Sequence, residues 1–132
     1  MKPIGALITS LALSACSAQG DRTSVDYSKI EVPVQRLASD EARARGRAIF
    51  QAKCVLCHGV RADGHGVRRQ GLSGPPANFQ SSEWRANASP RSVFRVLSEG
   101  VRGTSMPAWP TLSEEEKWDV VAYVLSVSED GP

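Results

Sequence analysis

Two cysteines and a histidine lie within five consecutive residues, in the sequence CVLCH at positions 54–58. Thiols beside an imidazole can serve dithiol redox exchange, zinc ligation or haem attachment. A thioredoxin-like dithiol needs a βαβ setting, which the sequence does not predict. A zinc site would use the adjacent Cys57 and His58 with His65 as fourth ligand, an awkward geometry. The CxxCH spacing therefore favours one covalent haem c, with a thioether at Cys54 and Cys57 and with His58 on the iron.

The second iron ligand must come from elsewhere in the chain. The sequence has one methionine besides the initiator, Met106, in GVRGTSMPAWPTL. It lies in a predicted loop, far enough from His58 for the chain to pass around the macrocycle. His65 is the rival, but it follows His58 by seven residues, and DGHG is typical of an exposed turn. The sequence predicts that His58 and Met106 are the two axial ligands.

Helices joined by glycine-rich and proline-rich loops must position these residues. One helix is predicted from a cap at Ser39 or Asp40 to about Cys54, with alanines at helical spacing. A second follows the cap Ser89 and ends before Gly100. The third opens at the capping box SEEE and continues through WDVVAYVLSV, where Trp118, Val121, Ala122 and Leu125 fall on one face. No segment alternates with the period of a strand, so the predicted class is all-α.

Residues 42–128 resemble a monohaem class I cytochrome c. The resemblance is carried by Gly46, Phe50, CVLCHG, a loop ending in GPPANF, GTSMPAW and a final helix with VVAYVLSV. It implies three to five short helices wrapped around one covalent haem, with the first and last helices crossing at Gly46. Phe50 would then pack against Val120 and Tyr123. A glycine inside a helix costs about 1 kcal/mol, so a close crossing also gives Gly46 a physical reason.

The resemblance further implies a proline carbonyl that accepts a hydrogen bond from the second ring nitrogen of His58. Pro75 and Pro76 are both candidates, and the sequence does not choose between them. Other side chains could flank the haem edge or its propionates, although core packing and solvation explain them equally well: Trp84, Trp109 and Arg102.

The amino-terminal residues 1–15 have the composition of a secretory signal, with Lys2 before a short apolar run. LSAC at positions 13–16 resembles the bacterial lipoprotein box, which predicts acylation of Cys16 and a lipid anchor in the membrane. The alternative is a plain signal that leaves a free thiol. We expect export to the periplasmic side of a bacterial membrane. In bacterial lipoproteins, a serine directly after the acylated cysteine, here Ser17, goes with sorting to the outer membrane.

Residues 16–41 are polar and lack a sustained period, which predicts a flexible tether between the lipid and the domain. The alternative is that Val32, Val34 and Leu37 dock this segment on the domain or on a partner. Residues 129–132 are expected to form a tail.

Charge is distributed unevenly along the chain. Residues 43–102 hold eleven bases against three acids, a net charge of +8, whereas residues 103–132 hold one base against six acids, a net charge of −5. A basic rim at the electron exit would favour redox partners with acidic docking surfaces. A formal net charge of +2 on an exported chain argues against nucleic acid binding.

These features predict one-electron transfer, with no substrate chemistry and no small-molecule substrate. The protein would be a tethered carrier or the monohaem subunit of a respiratory complex. The alternatives are a peroxidase-like haem enzyme and a gas-sensing or redox-sensing haem module, both of which require an open or labile sixth site on the iron.

Overall fold

The computed structural model describes residues 24–130, and every regular element in that range is helical. This confirms the all-α prediction. Six α-helices occur among these residues; two of them are single turns, and the number thus slightly exceeds the three to five expected. Their bounds are α1 Val34–Leu37, α2 Asp40–Lys53, α3 Val55–His58, α4 Ser82–Asn87, α5 Pro90–Glu99 and α6 Glu114–Asp130, with 3-10 turns at Tyr27–Lys29 and Arg69–Gly71.

Helix α2 begins and ends where the sequence predicted. The Ser39 hydroxyl accepts a hydrogen bond from the Ala42 amide at 3.2 Å, which satisfies one of the free donors of the first turn. The buried residues Ala42, Gly46 and Phe50 are spaced by four and form one stripe. That stripe faces α6.

Helices α2 and α6 cross with their backbones in contact. A side-chain carbon added at Gly46 would overlap the carbonyl oxygen of Asp119, so only glycine fits at this position. One turn later, the ring of Phe50 lies 5.2 Å from that of Tyr123 and shares the core with Val120. The crossing and the packing of Phe50 are therefore as predicted.

The caps of α5 and α6 also confirm the sequence signals. The Ser89 hydroxyl accepts from the Ser92 amide at 3.1 Å, and Gly100 ends α5 with a φ of 72°. At the start of α6, the Ser113 amide donates to the Glu116 carboxylate at 2.8 Å, and the Glu116 amide donates back to the Ser113 hydroxyl at 3.1 Å. Both helices thus start from satisfied backbone donors.

Helix α6 is buried over a wider face than the predicted stripe. Trp118, Val121 and Ala122 are buried as expected, whereas Leu125 is only partly buried. Asp119, Val120 and Val124 are buried as well. The reason is that α6 contacts α1, α2, α4 and α5, so neighbours cover more than one side of it.

The segment before α2 is not a free tether in the residues that the structure describes. The Tyr27 ring lies 6.5 Å from that of Phe94, and the Arg91 guanidinium donates to the Ile30 carbonyl at 2.9 Å. Val32 and Leu37 pack against the core, as the alternative interpretation allowed, while Val34 remains 64% exposed. The prediction of a flexible tether up to residue 41 was wrong for this part of the chain.

A buried carboxylate joins this amino-terminal segment to the helix crossing. Asp119, with 3% of its side chain exposed, accepts from the Arg36 Nε at 2.7 Å and from the Arg45 Nε at 2.8 Å. Burial by itself would raise the pKa of Asp119, but the hydrogen bonds from the two guanidinium groups outweigh it and the pKa is lowered. Helices α1, α2 and α6 therefore meet at one ion-pair cluster.

Residues 59–81 form the long loop that the glycines and prolines predicted, apart from one 3-10 turn. Helix α4, which follows directly, was not predicted. Its cap is the Ser81 hydroxyl, which accepts from the Trp84 amide at 3.1 Å. Six residues are too few to show a helical period in the sequence.

Candidate functional site

The functional candidates surround a cavity of about 400 Å³, a size typical of cofactor sites. It lies between the end of α2, the α3 turn, the loops at residues 72–79 and 101–109, and the inner faces of α5 and α6. Most of its lining side chains are apolar. Cys54, Cys57, His58 and Met106 all line it, as do Pro75, Pro76, Trp84 and Trp109.

The two cysteines and the histidine share one face of a single helical turn. The His58 amide donates to the Cys54 carbonyl at 2.9 Å, and the Cys57 amide lies 3.2 Å from the same oxygen. Positions separated by three and four residues in a helical turn lie one above another, which brings both thiols and the imidazole to the cavity wall. A CxxCH sequence needs this arrangement to present all three groups to one flat ligand.

The loop that follows is fastened to the α3 turn by its backbone. The amides of Gly64, Gly66 and Arg68 donate to the carbonyls of His58, Cys57 and Leu56 at 2.8, 3.1 and 2.8 Å. Gly66 lies so close to this turn that a side-chain carbon would collide with the Cys57 backbone. The carboxyl end of the CxxCH turn is therefore held by loop backbone rather than by solvent.

The environment of the cysteines does not suit dithiol exchange. Burial raises the pKa of Cys54 to about 11, whereas exchange needs a thiolate of lowered pKa in an exposed position. The residues that the structure describes also contain no strand, so the βαβ setting of a thioredoxin-like site is missing.

His58 is oriented by a backbone carbonyl, but not by that of a proline. Its Nδ1 lies 3.2 Å from the Ala77 oxygen, so the expectation of Pro75 or Pro76 as acceptor was wrong. The carbonyl of Pro76 lies close to Gly64 instead. Donation from Nδ1 leaves the Nε2 lone pair for a metal.

The surroundings of His58 keep its imidazole neutral and cover one of its faces. Burial lowers its pKa, and the Ala77 carbonyl offsets only part of that effect. The Phe79 ring is stacked on the imidazole, with centroids 4.8 Å apart and planes at 24°. A neutral, buried and oriented imidazole is the form that ligates iron.

Met106 is held in its loop by hydrogen bonds to its own backbone. Its amide donates to the Thr104 hydroxyl at 3.1 Å, and its carbonyl accepts from the Val101 amide at 3.0 Å. The loop is tied to the opposite one, because the Ser105 amide donates to the Ser73 carbonyl at 3.0 Å. Met106 therefore lies in a loop whose backbone is held by hydrogen bonds, and it lines the same cavity as His58.

Trp109 supplies a polar group that the protein leaves unsatisfied. Its indole Nε1 is buried and has no hydrogen-bond partner among the described residues. A buried donor of this kind calls for an acceptor, and a ligand with carboxylate groups would provide one. Together with the apolar lining and the two thiols, this orphaned donor fits a haem, whose propionates are carboxylates.

The remaining charged candidates and His65 differ in whether they line the cavity. Arg102 is exposed and does not line the cavity, whereas Arg95, which sequence reasoning missed, does line it. The available signal was its spacing of three residues from Ser92, which also lines the cavity, because positions three apart share one face of a helix. The His65 side chain is 63% exposed, with Nδ1 2.9 Å from the Asp63 carbonyl, and lies outside the cavity.

Zinc ligation finds no support in the described part of the chain. No cluster of three or more histidine, cysteine, aspartate or glutamate side chains in that part could hold a metal ion. His65 in particular does not join the two cysteines at the cavity.

The outer side of the CxxCH turn presents apolar side chains next to positive charge. Leu56 is 45% exposed and Val67 is 87% exposed. The Arg68 amide donates to the Leu56 carbonyl, so the backbones that carry the exposed side chains of Leu56, Val67, Arg68 and Arg69 are adjacent. We call these four residues the basic rim.

Cys16 and residues 1–23 lie outside the described residues, as do residues 131–132. Within residues 24–130 no helix combines the length and the apolar character needed to span a bilayer.

Comparison with known proteins gives a family match over most of the domain. Residues 41–124 match the protein family described as cytochrome c oxidase, cbb3-type, subunit III. This range includes every residue that lines the cavity.

Individual relatives extend the match. A thiosulfate dehydrogenase of Allochromatium vinosum is 30% identical over 124 residues, which are 92% of this chain and 44% of that protein. A cytochrome c-553-like protein of Synechocystis is 71% identical over 21 residues, 16% of this chain and 20% of that protein. A chain of the Kuenenia stuttgartiensis reducing HAO-like protein complex has a TM-score of 0.61 at 26% identity and covers 67% of this chain and 44% of its own length. The chain thus spans less than half the length of the thiosulfate dehydrogenase and of the Kuenenia protein.

Proposed function

The chain belongs to the cytochrome c family described as cbb3-type cytochrome c oxidase subunit III, and on this premise we propose that it moves single electrons through a haem c attached at Cys54 and Cys57 and ligated by His58 and Met106. The family is one of covalent haem c and of haem-mediated electron transfer between redox proteins. The observation that carries the proposal is that these four side chains line one cavity.

A haem in this cavity would supply an iron that gains or loses one electron with little ligand movement, at a potential that a thioether ligand would raise. The residues of the chain would hold the haem in a fixed position and exclude water from it. Cys54 and Cys57 would attach the haem covalently to the α3 turn. The apolar lining keeps water from the iron, which limits side reactions and reorganisation.

His58 and Met106 would be the two protein ligands of the iron, and both line the cavity. The hydrogen bond from Nδ1 to the Ala77 carbonyl makes Nε2 a stronger donor and fixes its tautomer. The hydrogen bonds to the Met106 amide and carbonyl fix the backbone from which its flexible side chain would reach the iron. With both axial positions filled, the chain would carry electrons rather than bind oxygen or peroxide.

Trp109 would bind a propionate. Its buried Nε1 has no acceptor among the described protein groups, and a haem carboxylate is a suitable one. Arg95, which lines the same cavity, could neutralise part of the charge.

Electrons would leave at the basic rim. Leu56 lies between the two attachment cysteines in sequence, and it shares an exposed surface with Val67 and the two arginines. Apolar contact there would exclude water, and the positive charge would steer a partner with an acidic docking surface.

As an electron carrier, the chain would also be suited to act as the monohaem subunit of an oxidoreductase complex. The matched family is described as an oxidase subunit, and the similar Kuenenia chain is part of a complex. The thiosulfate dehydrogenase name belongs to relatives of more than twice this length, which is why we propose electron transfer rather than catalysis for this chain.

We further propose export and lipid anchoring through Cys16. Tyr27, the first residue seen to pack on the domain, follows Cys16 by eleven residues. Eleven peptide steps reach at most about 40 Å, so the domain would lie close to the membrane.

Carbon monoxide binding tests the ligand set. The reduced native protein should not bind carbon monoxide, because Met106 occupies the sixth position, whereas Met106→Ala should bind it readily. Tight binding by the native protein would mean an open sixth site and would favour a sensor or an enzyme.

A further inference from the structure

Phe79 covers one face of the His58 imidazole. The two ring centroids are 4.8 Å apart and the planes are inclined by 24°, a stacked arrangement. The hydrogen bond from Nδ1 to Ala77 fixes one edge of the imidazole but leaves it free to tilt about the line of that bond. A flat ring against the face blocks this remaining movement.

Phe79 is itself held on several sides. Its amide donates to the Ala62 carbonyl at 3.0 Å, and its side chain is buried. The edges of two other aromatic rings meet it, Trp84 at 4.9 Å and 79° and Phe50 at 6.1 Å and 71°. A ring packed this closely cannot move aside without displacing core residues.

We propose that Phe79 is a positioning residue that sets the plane of the axial imidazole. This inference rests on the proposed function, in which His58 ligates the iron. The plane of an axial imidazole, together with the orientation of the second ligand, determines how the unpaired electron of ferric iron is distributed over the macrocycle. Phe79 would thus fix an electronic property of the haem as well as fill space.

A second stacked pair in the same domain provides a matched control. The Phe94 ring lies 4.3 Å from that of Trp118, with planes at 22°. Phe94 is buried to a similar extent as Phe79, but it does not line the cavity. Replacing either phenylalanine by leucine removes a stacked ring from the core, and only one of the two touches the imidazole.

The experiment compares the proton NMR spectra of the haem-loaded ferric proteins. The shifts of the four haem methyl groups report the orientation of both axial ligands, after ring-current contributions measured in the reduced proteins are subtracted. Met106 is unchanged in every variant, so a difference that is confined to the Phe79 variants reports the imidazole plane. We expect Phe79→Leu to lose the native order and spread of these resonances. Phe94→Leu should keep both, with a comparable loss of thermal stability, and Phe79→Tyr, which keeps the ring, should restore the native pattern.

Three results would overturn the inference: a native methyl pattern in Phe79→Leu, an equal change in Phe94→Leu, or an altered pattern in Phe79→Tyr. If Phe79→Leu does not fold, Phe79→Met takes its place, since methionine fills a similar volume without a ring. Failure of the proposed function itself is distinguishable, because the native protein would then lack the far-red band of a sulfur-to-iron bond.

Discussion

The crossing of α2 and α6 and the loops around the cavity keep their shape by different means. At the crossing, the backbone of Gly46 lies against the carbonyl of Asp119, and no space is left. Around the cavity, individual hydrogen bonds brace the loops, such as that from the Ser105 amide to the Ser73 carbonyl. The close packing at the helix crossing specifies the fold, whereas the hydrogen-bonded loops around the cavity leave room for a cofactor. Substitutions at the helix crossing should therefore change the free energy of unfolding. Substitutions in the loops around the cavity should change the ligation of the haem iron.

The largest effect is expected at the crossing. Gly46→Val places a branched side chain where the Asp119 carbonyl lies, and the helices must separate. We expect loss of folding, or a decrease of at least about 4 kcal/mol in the free energy of unfolding. Denaturant titration of the haem-loaded protein measures it. Gly71→Ala is the control, because nothing lies within 4 Å of its added carbon; a similar loss in both variants would contradict a close crossing.

The second effect concerns the ion-pair cluster beside the crossing. Asp119→Asn removes the charge that binds Arg36 and Arg45, and we expect a loss of about 2 kcal/mol at neutral pH, since Arg45 is half exposed and screened. The lowered pKa of Asp119 stabilises the protein above the unfolded pKa, and this contribution is lost as the pH falls through the folded pKa.

The difference between the native protein and Asp119→Asn should therefore be constant above about pH 5 and shrink below about pH 4. Urea titrations across this range provide the measurement. Asp40→Asn, at a highly exposed position, should change little at any pH. A pH-independent difference for Asp119→Asn would mean that packing rather than charge is responsible.

A smaller loss of stability is expected in the Met106 loop. Thr104→Val removes the acceptor of the Met106 amide and should cost about 1 kcal/mol in global stability. Because the loop braces the thioether, carbon monoxide should bind the reduced variant more readily than the native protein. Thr111→Val, also exposed but outside this hydrogen bond, is the matched control. Equal carbon monoxide binding by both variants would show that the loop does not hold the ligand.

The basic rim should not affect stability at all. Arg68→Glu together with Arg69→Glu should leave the melting temperature unchanged and slow electron transfer to an acidic partner by about tenfold or more at low salt. High salt should remove the difference. Stopped-flow kinetics with an acidic redox protein measure the rates, and an unchanged rate at low salt would exclude electrostatic steering by this surface.

Local signals in the sequence predicted much of this architecture. Caps at Ser39, Ser89 and Ser113 depend on residues within a few positions of each other, and the CxxCH turn is a local motif. The helix crossing at Gly46 came from a resemblance to a known family, and the backbone contact at Asp119 agrees with it.

Features that depend on distant residues could not be predicted. Arg36 and Asp119 are 83 residues apart, so the ion pair that joins the amino-terminal segment to α6 left no local pattern. The choice of the Ala77 carbonyl over those of Pro75 and Pro76 depends on the course of the loop backbone. The unsatisfied Trp109 nitrogen likewise becomes visible only once its surroundings are known.

The central claim, that His58 and Met106 hold the iron of one covalent haem, is tested most directly by the optical spectrum of the ferric protein. A sulfur-to-iron bond gives a weak far-red band. We predict that the native protein has this band, that Met106→Ala loses it, and that Thr111→Val keeps it. A native ferric protein without the band would contradict the claim and would leave the sixth position open or filled by another group.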